Sequence, residues 1–322
     1  MSEVVYMEGN IKIMTEFPDF NAAGFDMKAY NRRFREGNVI IHARSANVAY
    51  PSHWGCLSIK CALNGREYYE ANNTAYAVDN TCFLILNEGQ VYSSYIYSER
   101  PVESFTINFS ESFARTVLES LFTHDPLIGS HHTAAAPRSL EFIERLYPHD
   151  NSISPILCAL YRQSLSEKQD TTAITEHYYL LLEKMVLLHT RVDREIQNVK
   201  AAKASTRKEL YRRLYFAKDY IDARYMNNVS LSELAGVACL NPAYLLRQWK
   251  KYFGGTPHRY LMQKRVSVAA ELLTTTSHSV TEICYCVGYE DISSFIKLFR
   301  RQYQITPEKY QLQHQKKSIF TC

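Results

Sequence analysis

The spacing of apolar and polar residues changes along the chain, and each spacing predicts a different kind of element. Between about residues 37 and 110, apolar residues recur at every second position in short runs, which turn sequences such as NGRE, NNT and NEGQ separate. A period of two is typical of strands with one buried face. The runs are NVIIHAR, GCLSIKCAL, CFLIL, QVYSSYIY and ESFTINF. They predict a small antiparallel β-barrel or sandwich.

From about residue 111 to residue 200, apolar residues return at helical spacing. The candidate helices are SESFARTVLESLF, RSLEFIERLY, SPILCALYRQSL and TEHYYLLLEKMVLLHTRVDREIQNV. In the last of them, an apolar seam is formed by Leu181, Met185, Leu188 and Val192. We expect this seam to pack on the barrel, to pair with a second copy of the chain, or to do both. The polar stretch NVKAAKASTRK that follows predicts an interdomain linker.

The last third of the chain repeats one pattern, at residues 230–254 and again at residues 279–304. Each copy opens with Ser-x-x-Glu, a capping box in which the two side chains satisfy free amides at the start of a helix. A second amphipathic helix follows, and a Thr-Pro pair then opens a third. Each copy therefore predicts a helix-turn-helix unit. The helical stretch PHRYLMQKRVSVAAELLTTT is expected to hold the two units at a fixed separation.

The turn inside each unit requires a residue with positive φ, which favours glycine. Gly288 meets this requirement in the second unit, whereas Cys239 stands at the matching position of the first. The first turn is therefore expected to be either slightly strained or shaped differently. The apolar residues that point inward from the helix after each turn are Leu245, Trp249, Phe295 and Phe299.

These motifs resemble the C-terminal DNA-binding domain of the AraC family of bacterial transcription regulators. The matching segments are LSELA, LNPAYL, GGTPHRYLMQKRV, AAELL, VTEI, VGYED, SSFIKLFRR and ITPEKY, within about residues 208–311. Cys239 departs from the glycine usual in the family, and Leu246 and Ile296 stand where polar residues are common. The resemblance implies two helix-turn-helix units on promoter DNA and, less specifically, a cupin-like sensor domain at the N-terminal end.

A helix in the major groove turns its outward side chains toward base edges and phosphates. The positions that face DNA, on the apolar pattern and on the resemblance alike, are Ala243, Leu246, Arg247, Lys250, Ser293, Ser294, Ile296, Lys297 and Arg300, and Arg301 is added as a phosphate contact. Arg247 and Lys297 are expected to read bases, and the other cations to contact phosphates. Leu246 and Ile296 are expected either to pack on thymine methyl groups or to lie against a neighbouring helix.

Charge separates the two ends of the chain. Residues 203–322 hold 19 Lys and Arg against 9 Asp and Glu, a net charge of +10, whereas residues 1–202 hold 18 against 24, a net charge of −6. A basic segment on an acidic body is typical of a domain that binds a polyanion. A basic surface that is merely solvated is the alternative.

The chemistry-bearing residues predict no enzyme, no metal and no cofactor. The cysteines have no CxxC spacing, His42 and His53 stand apart without an HxH pair, and no nucleophile, base and orienting group come together. Candidate liners of a small-molecule pocket in the barrel are Trp54, Tyr92 and Tyr95. No apolar run is long enough for a membrane span, and the N-terminus lacks the apolar core of a secretory signal, so the cytoplasm is expected.

The sequence thus predicts an α+β protein in three parts. A cupin-like sensor and dimerisation domain covers residues 1–197 with helices over 111–197, a linker covers 198–208, and a DNA-binding domain covers 209–322. The predicted function is sequence-specific transcription regulation, controlled by a small ligand or by dimerisation, with activation and repression both open. Promoter DNA is the expected partner, and RNA polymerase, an effector and a second copy of the chain are further candidates. The rivals are a cupin-type enzyme fused to a nucleic-acid-binding tail and a ligand-independent architectural DNA-binding protein.

Overall fold

A computed structural model describes residues 11–20, 22–72, 74–124, 140–199 and 203–318. The chain divides into two compact units, Met1–Arg212 and Arg213–Cys322. The first unit contains a sheet with helices, and the second is helical throughout its regular structure. The predicted α+β class is therefore confirmed.

The first unit is built around one eight-stranded sheet. Its elements are β1 (Ile11–Met14), α1 (Met27–Glu36), β2 (Asn38–Trp54), β3 (Ser58–Leu63), β4 (Glu67–Ala71), β5 (Thr74–Val78), β6 (Cys82–Leu86), β7 (Val91–Asn108), α2 (Glu111–His124), β8 (Leu146–Pro148), α3 (Ser154–Leu165) and α4 (Thr171–Gln197). The strand order is β1-β2-β7-β3-β6-β8, and β4 pairs with β5 and β7. All pairings in the described chain are antiparallel except that of β1 with β2. The sheet is not closed, so the predicted barrel is not confirmed.

Strand β7 is long enough to pair with three other strands of the sheet. One edge pairs with β2 over nearly its whole length. The other edge pairs first with β4, at Tyr92–Tyr95, and then with β3, at Glu103–Asn108. All five predicted runs lie in strands, and QVYSSYIY and ESFTINF belong to this single strand. The hairpin of β4 and β5 was not predicted, because its alanine, tyrosine and glutamate residues carry little apolar alternation.

The predicted helix RSLEFIERLY is wrong within the described residues. Residues 140–144 have no regular structure, and Leu146–Pro148 forms the edge strand β8, which pairs with β6. The apolar residues of this segment, Phe142, Ile143, Leu146 and Tyr147, are all buried. Their spacing therefore reflects how an irregular segment covers the sheet, and not a helical face. The other three predicted helices are confirmed as α2, α3 and α4.

The apolar seam of α4 lies in the core of the first unit. Leu181, Met185, Leu188 and Val192 are buried within the chain itself. Packing inside the chain is thus the role that the structure gives them, and any pairing of two chains through α4 has to use other residues of the helix. The exposed apolar residues of α4 are Leu180 and Leu187.

The second unit consists of helices, and three of its short helices pack on one longer central helix. Helix α5 (Ala204–Arg224), which contains the division between the units, is followed by α6 (Leu231–Val237), α7 (Pro242–Phe253), α8 (Pro257–Thr275), α9 (Val280–Cys286), α10 (Ile292–Tyr303) and α11 (Pro307–Ser318). Helix α6 packs on α7, while α9, α10 and α11 pack on α8. Of the predicted linker, residues 200–202 lie outside the described residues and residues 204–208 belong to α5.

No helix in the described part of the chain combines the length and the apolarity that crossing a bilayer requires.

Candidate nucleic-acid interface

The two helix-turn-helix units begin with the same pair of hydrogen bonds. In α6, Ser230 Oγ accepts from the Glu233 amide at 3.1 Å, and Glu233 Oε2 accepts from the Ser230 amide at 3.4 Å. In α9, the corresponding distances between Ser279 and Glu282 are 3.2 and 2.7 Å. Both predicted capping boxes are confirmed. The repeat in the sequence is therefore a repeat in structure.

The turns of the two units also have the same geometry. Cys239 has φ +49° and Gly288 has φ +86°, so both lie in the left-handed region. The amide after each of them bonds back to the first helix, from Leu240 to the Ala235 carbonyl at 2.9 Å and from Tyr289 to the Cys284 carbonyl at 3.0 Å. Of the two expectations for the first turn, the strained one is correct: it keeps the shape and places a cysteine where the conformation favours glycine.

A close backbone contact is a second reason why position 288 requires glycine, and it cannot be read from the sequence. A Cβ at this position would lie 2.3 Å from the Met226 carbonyl oxygen and 2.9 Å from its carbonyl carbon. The chain after α5 thus runs directly against the turn of the second unit. The matching turn of the first helix-turn-helix unit already carries a side chain at Cys239. The two turns therefore differ in the residues that surround them.

Arg265 of α8 also contacts this segment. Its Nε donates to the Tyr225 carbonyl at 2.7 Å, and its Nη2 donates to the Asn227 carbonyl at 3.0 Å. Its guanidinium lies 5.7 Å from the centre of the Tyr289 ring. Arg265 is buried and was missed by sequence reasoning, although an arginine four residues after Leu261 and four before Ala269, within an apolar stripe, is a signal for such a role.

Helix α7 turns its polar side outward as the spacing predicted. Asn241 caps it by accepting from the Ala243 amide at 3.0 Å, and Leu245 and Trp249 are fully buried. The predicted DNA-facing residues Ala243, Arg247 and Lys250 are exposed, while Leu246 is half-buried. The Arg247 guanidinium lies 5.2 Å from the centre of the Tyr244 ring, which keeps this side chain along the helix surface.

Helix α10 has the same arrangement. Asp291 caps it by accepting from the Ser293 and Ser294 amides, at 3.2 and 2.8 Å, and Phe295 and Phe299 are fully buried. The other predicted DNA-facing residues of α10 are Ser293, Ser294, Lys297, Arg300 and Arg301, which are exposed, and Ile296, which is half-buried.

Each of these two helices presents three cations to solvent. They are Arg247, Lys250 and Lys251 on α7, and Lys297, Arg300 and Arg301 on α10. Sequence reasoning did not select Lys251. Within the residues that the structure describes, none of the six forms an ion pair with a carboxylate. Their charge is therefore available to a polyanion.

The predicted ligand-binding residues lie in the N-terminal unit, Met1–Arg212, and two of them line clefts there. Tyr92 lines two adjoining clefts and Trp54 lines one of them. Tyr95 lines neither of these two clefts, and its ring stacks on Tyr68 with the ring centres 5.1 Å apart.

The histidines of the first unit have separate partners. His42 Nε2 pairs with Glu103 and its Nδ1 with Ser164, whereas His53 Nδ1 donates to the Pro51 carbonyl. In the described residues there is no cluster of three or more His, Cys, Asp or Glu side chains able to hold a metal ion.

Comparison with known proteins matches the C-terminal part of the chain. A family model described as a helix-turn-helix domain covers residues 234–313. The probable transcriptional regulator LumQ of Photobacterium leiognathi is 31% identical over 93 residues, 29% of this chain and 38% of that protein. The regulatory protein PocR of Salmonella typhimurium is 34% identical over 94 residues, 29% of this chain and 31% of that protein. The HTH-type transcriptional activator RhaS of an Enterobacter species is 37% identical over 90 residues, 28% and 32% of the two chains.

Two solved structures are also similar to this chain. The C-terminal domain of the response regulator yesN from Fusobacterium nucleatum is 38% identical with a TM-score of 0.28, covering 30% of this chain and 93% of that one. ToxT from Vibrio cholerae is 13% identical with a TM-score of 0.34, covering 85% and 98%.

The matches to named regulators are partial. The chain spans between 31% and 38% of the length of the three curated relatives. The matched region coincides with the duplicated helix-turn-helix units, as the motifs predicted. This chain therefore carries an AraC-type helix-turn-helix domain at its C-terminal end.

Proposed function

We propose that this chain regulates transcription by binding promoter DNA through α7 and α10. The observation that carries the proposal is the pair of helix-turn-helix units with matching caps and turns, each presenting three solvent-exposed cations on its second helix. Helix α8 between them has 19 residues. At 1.5 Å per residue it is about 28 Å long, which is suited to placing two helices in successive turns of one face of DNA.

The roles of the individual side chains follow from their chemistry. Arg247 and Lys297 occupy matching places near the middle of their helices, and we assign them to base edges, where they donate to guanine O6 and N7. Lys250, Arg300 and Arg301 are assigned to phosphates, which position the protein without specifying sequence. Ala243, Ser293 and Ser294 complete the face as small contacts near the helix starts.

Leu246 and Ile296 keep their two alternatives. Both are half-buried, so part of each side chain lies against the protein and the rest faces outward. The outward part is able to contact a thymine methyl group, which would favour AT-rich sites.

The first unit is proposed as the regulatory part. Register shifts in the pairing of β2 with β7 support barrel-like, cupin-like curvature, because such irregularities bend and twist strands. Control by a small molecule, by pairing of two chains or by contact with RNA polymerase is open. The opposite net charges of residues 1–202 and 203–322 also favour a restraint that competes with DNA.

Selection of random duplexes with the full-length protein, followed by titration over a range of salt concentrations, tests DNA binding. We expect enriched sequences and a logarithmic affinity that falls linearly with the logarithm of salt, at about −0.9 per phosphate neutralised. Lys168→Ala, an exposed cation of the first unit, serves as the control and is expected to leave affinity unchanged. No enriched sequence and no salt-sensitive binding would refute the proposal.

A further inference from the structure

A cleft in the first unit contains two buried charged side chains that do not hydrogen-bond each other. Lys60 of β3 is 4% exposed and Glu67 of β4 is 3% exposed, and both line this cleft. The remaining lining is largely aromatic, from Phe17, Tyr30, Tyr50, His53, Tyr69 and Tyr92. The cleft is partly open to solvent, and its volume is about 40 Å³. A polar site of this size admits the charged groups of a small ligand, and the remainder of the ligand has to lie toward the opening.

Lys60 retains hydrogen-bonding capacity in the cleft. Its Nζ donates to the Tyr92 hydroxyl at 3.0 Å and lies 5.0 Å from the centre of the same ring. Within the described residues no second acceptor meets it, although an ammonium has three donors. Burial lowers the pKa of Lys60 to about 8, so the group is still largely charged at neutral pH.

Glu67 has the complementary deficit. Its Oε2 is buried and meets no hydrogen-bond donor among the described residues. Burial raises the pKa of Glu67, while Ser104, Tyr69 and the charge of Lys60 oppose that shift. A buried carboxylate oxygen without a donor is costly, so the fold gains little from it unless something else supplies the donor.

We propose that this cleft binds a small zwitterion of the amino-acid class, with its carboxylate on Lys60 Nζ and its ammonium on Glu67 Oε2. A ligand with both charges satisfies both side chains. An acid alone leaves Glu67 without a donor, and an amine alone leaves Lys60 without an acceptor. The rings of Phe17, Tyr30 and Tyr50 form an apolar wall for the rest of the molecule. In the proposed regulator this ligand is the effector, and that role alone rests on the proposed function.

Thermal melting of the full-length protein without DNA tests the site. The probes are L-phenylalanine and L-leucine, with 3-phenylpropanoate, phenethylamine and a neutral sugar as comparisons. We expect an amino acid at about a hundred times its Kd to raise the melting midpoint by about 5 °C or more, and the comparisons to raise it much less. No response to any of the twenty standard amino acids, or an equal response to an acid, an amine or a sugar, would overturn the proposal.

Two variants separate a binding role from a structural one. Lys60→Met and Glu67→Gln are each expected to weaken amino-acid binding at least tenfold. Each also leaves the other buried group without its compensating charge, so the unliganded midpoint is expected to fall. Lys12 and Glu70 are exposed and do not line the cleft, so Lys12→Met and Glu70→Gln are the matched controls and are expected to keep full affinity. If both Lys60→Met and Glu67→Gln lower the unliganded midpoint and keep full affinity, the two side chains are structural and the proposal is wrong.

The effector role is read out separately, by promoter affinity with and without the amino acid. A change in affinity supports the role. Amino-acid binding that leaves promoter affinity unchanged would overturn the role and leave the site. Failure to bind any promoter would instead refute the proposed function, because the melting experiment contains no DNA.

Discussion

Substitution of Gly288 by alanine is expected to destabilise the C-terminal unit, Arg213–Cys322, far more than substitution of the matching Cys239 by alanine. The added Cβ would meet the Met226 carbonyl group at 2.3 and 2.9 Å, and a backbone group cannot rotate away as a side chain does. The left-handed conformation costs a non-glycine residue about 1–2 kcal/mol, and displacing packed backbone costs about 1–3 kcal/mol. The free energy of unfolding should therefore fall by roughly 2–5 kcal/mol.

Cys239 provides the internal comparison. It already adopts φ +49° with a Cβ in place, so Cys239→Ala should change the free energy of unfolding by less than about 0.5 kcal/mol. Cys239→Gly removes the conformational penalty but frees the unfolded chain, and a net gain of up to about 1 kcal/mol is expected.

The two tryptophans of the chain make the measurement specific. Trp54 lies in the first unit and Trp249 in the second. In a Trp54→Phe background, fluorescence during denaturant unfolding reports the surroundings of Trp249 alone, and linear extrapolation gives the free energy of unfolding. The reasoning fails if Gly288→Ala costs less than about 1 kcal/mol, or if Cys239→Ala costs as much as Gly288→Ala.

Three further predictions concern single side chains. Arg247→Ala or Lys297→Ala should relax base preference at one position and cost roughly 1–3 kcal/mol of binding free energy on the selected site. Lys250→Ala should weaken binding to all sequences alike and flatten the salt dependence of log affinity by about one unit. Equal losses on selected and scrambled DNA for Arg247→Ala would reverse these roles. Arg265→Met should cost about 2–4 kcal/mol in the same fluorescence assay, because it leaves two carbonyls without a donor, and Arg265→Lys should recover only part of the loss; an unchanged midpoint for Arg265→Met would contradict the anchoring role. Burial lowers the folded-state pKa of Lys60 to about 8, so above that pH the unfolded chain binds one more proton than the folded chain. The free energy of unfolding of the wild type should therefore rise by about 2 kcal/mol relative to Lys60→Met between pH 8 and pH 10. Parallel curves of unfolding free energy against pH would show that the ammonium is not desolvated.

The parts of the second unit that depend on neighbours in sequence were predictable. Capping boxes, helix N-caps and the inward positions of α7 and α10 follow from residues within one or two turns of each other, and all of them are confirmed. The place of Cys239 in the repeat left two shapes open for the first turn, and the structure shows the one with positive φ. Burial of Arg265 and the approach of Met226 to Gly288 were not predictable, because both depend on where the chain after α5 returns to the second unit.

The first unit shows where local pattern fails. The segment containing Phe142 and Leu146 has helical spacing, yet hydrogen bonds from β6 draw its end into a strand. Lys60 stands in the run GCLSIKCAL, where alternation places a polar residue on the outer face, but both faces of β3 are buried. Its position in the same cleft as Glu67 arises from pairing of β3 and β4 with the two halves of β7, which no short stretch encodes.

The clamp that Arg265 and the Gly288 turn form on residues 225–227 has a consequence for the DNA that such a protein reads. It ties the end of α5 to both α8 and the second helix-turn-helix unit, and these contacts oppose independent movement of that unit. One inserted base pair rotates one half-site against the other by about 34° and advances it by about 3.4 Å. Two recognition helices held at a fixed separation cannot follow that displacement. The DNA then has to twist, or one helix no longer fits the major groove. Operators for this protein are therefore expected to keep a fixed spacing between the two half-sites.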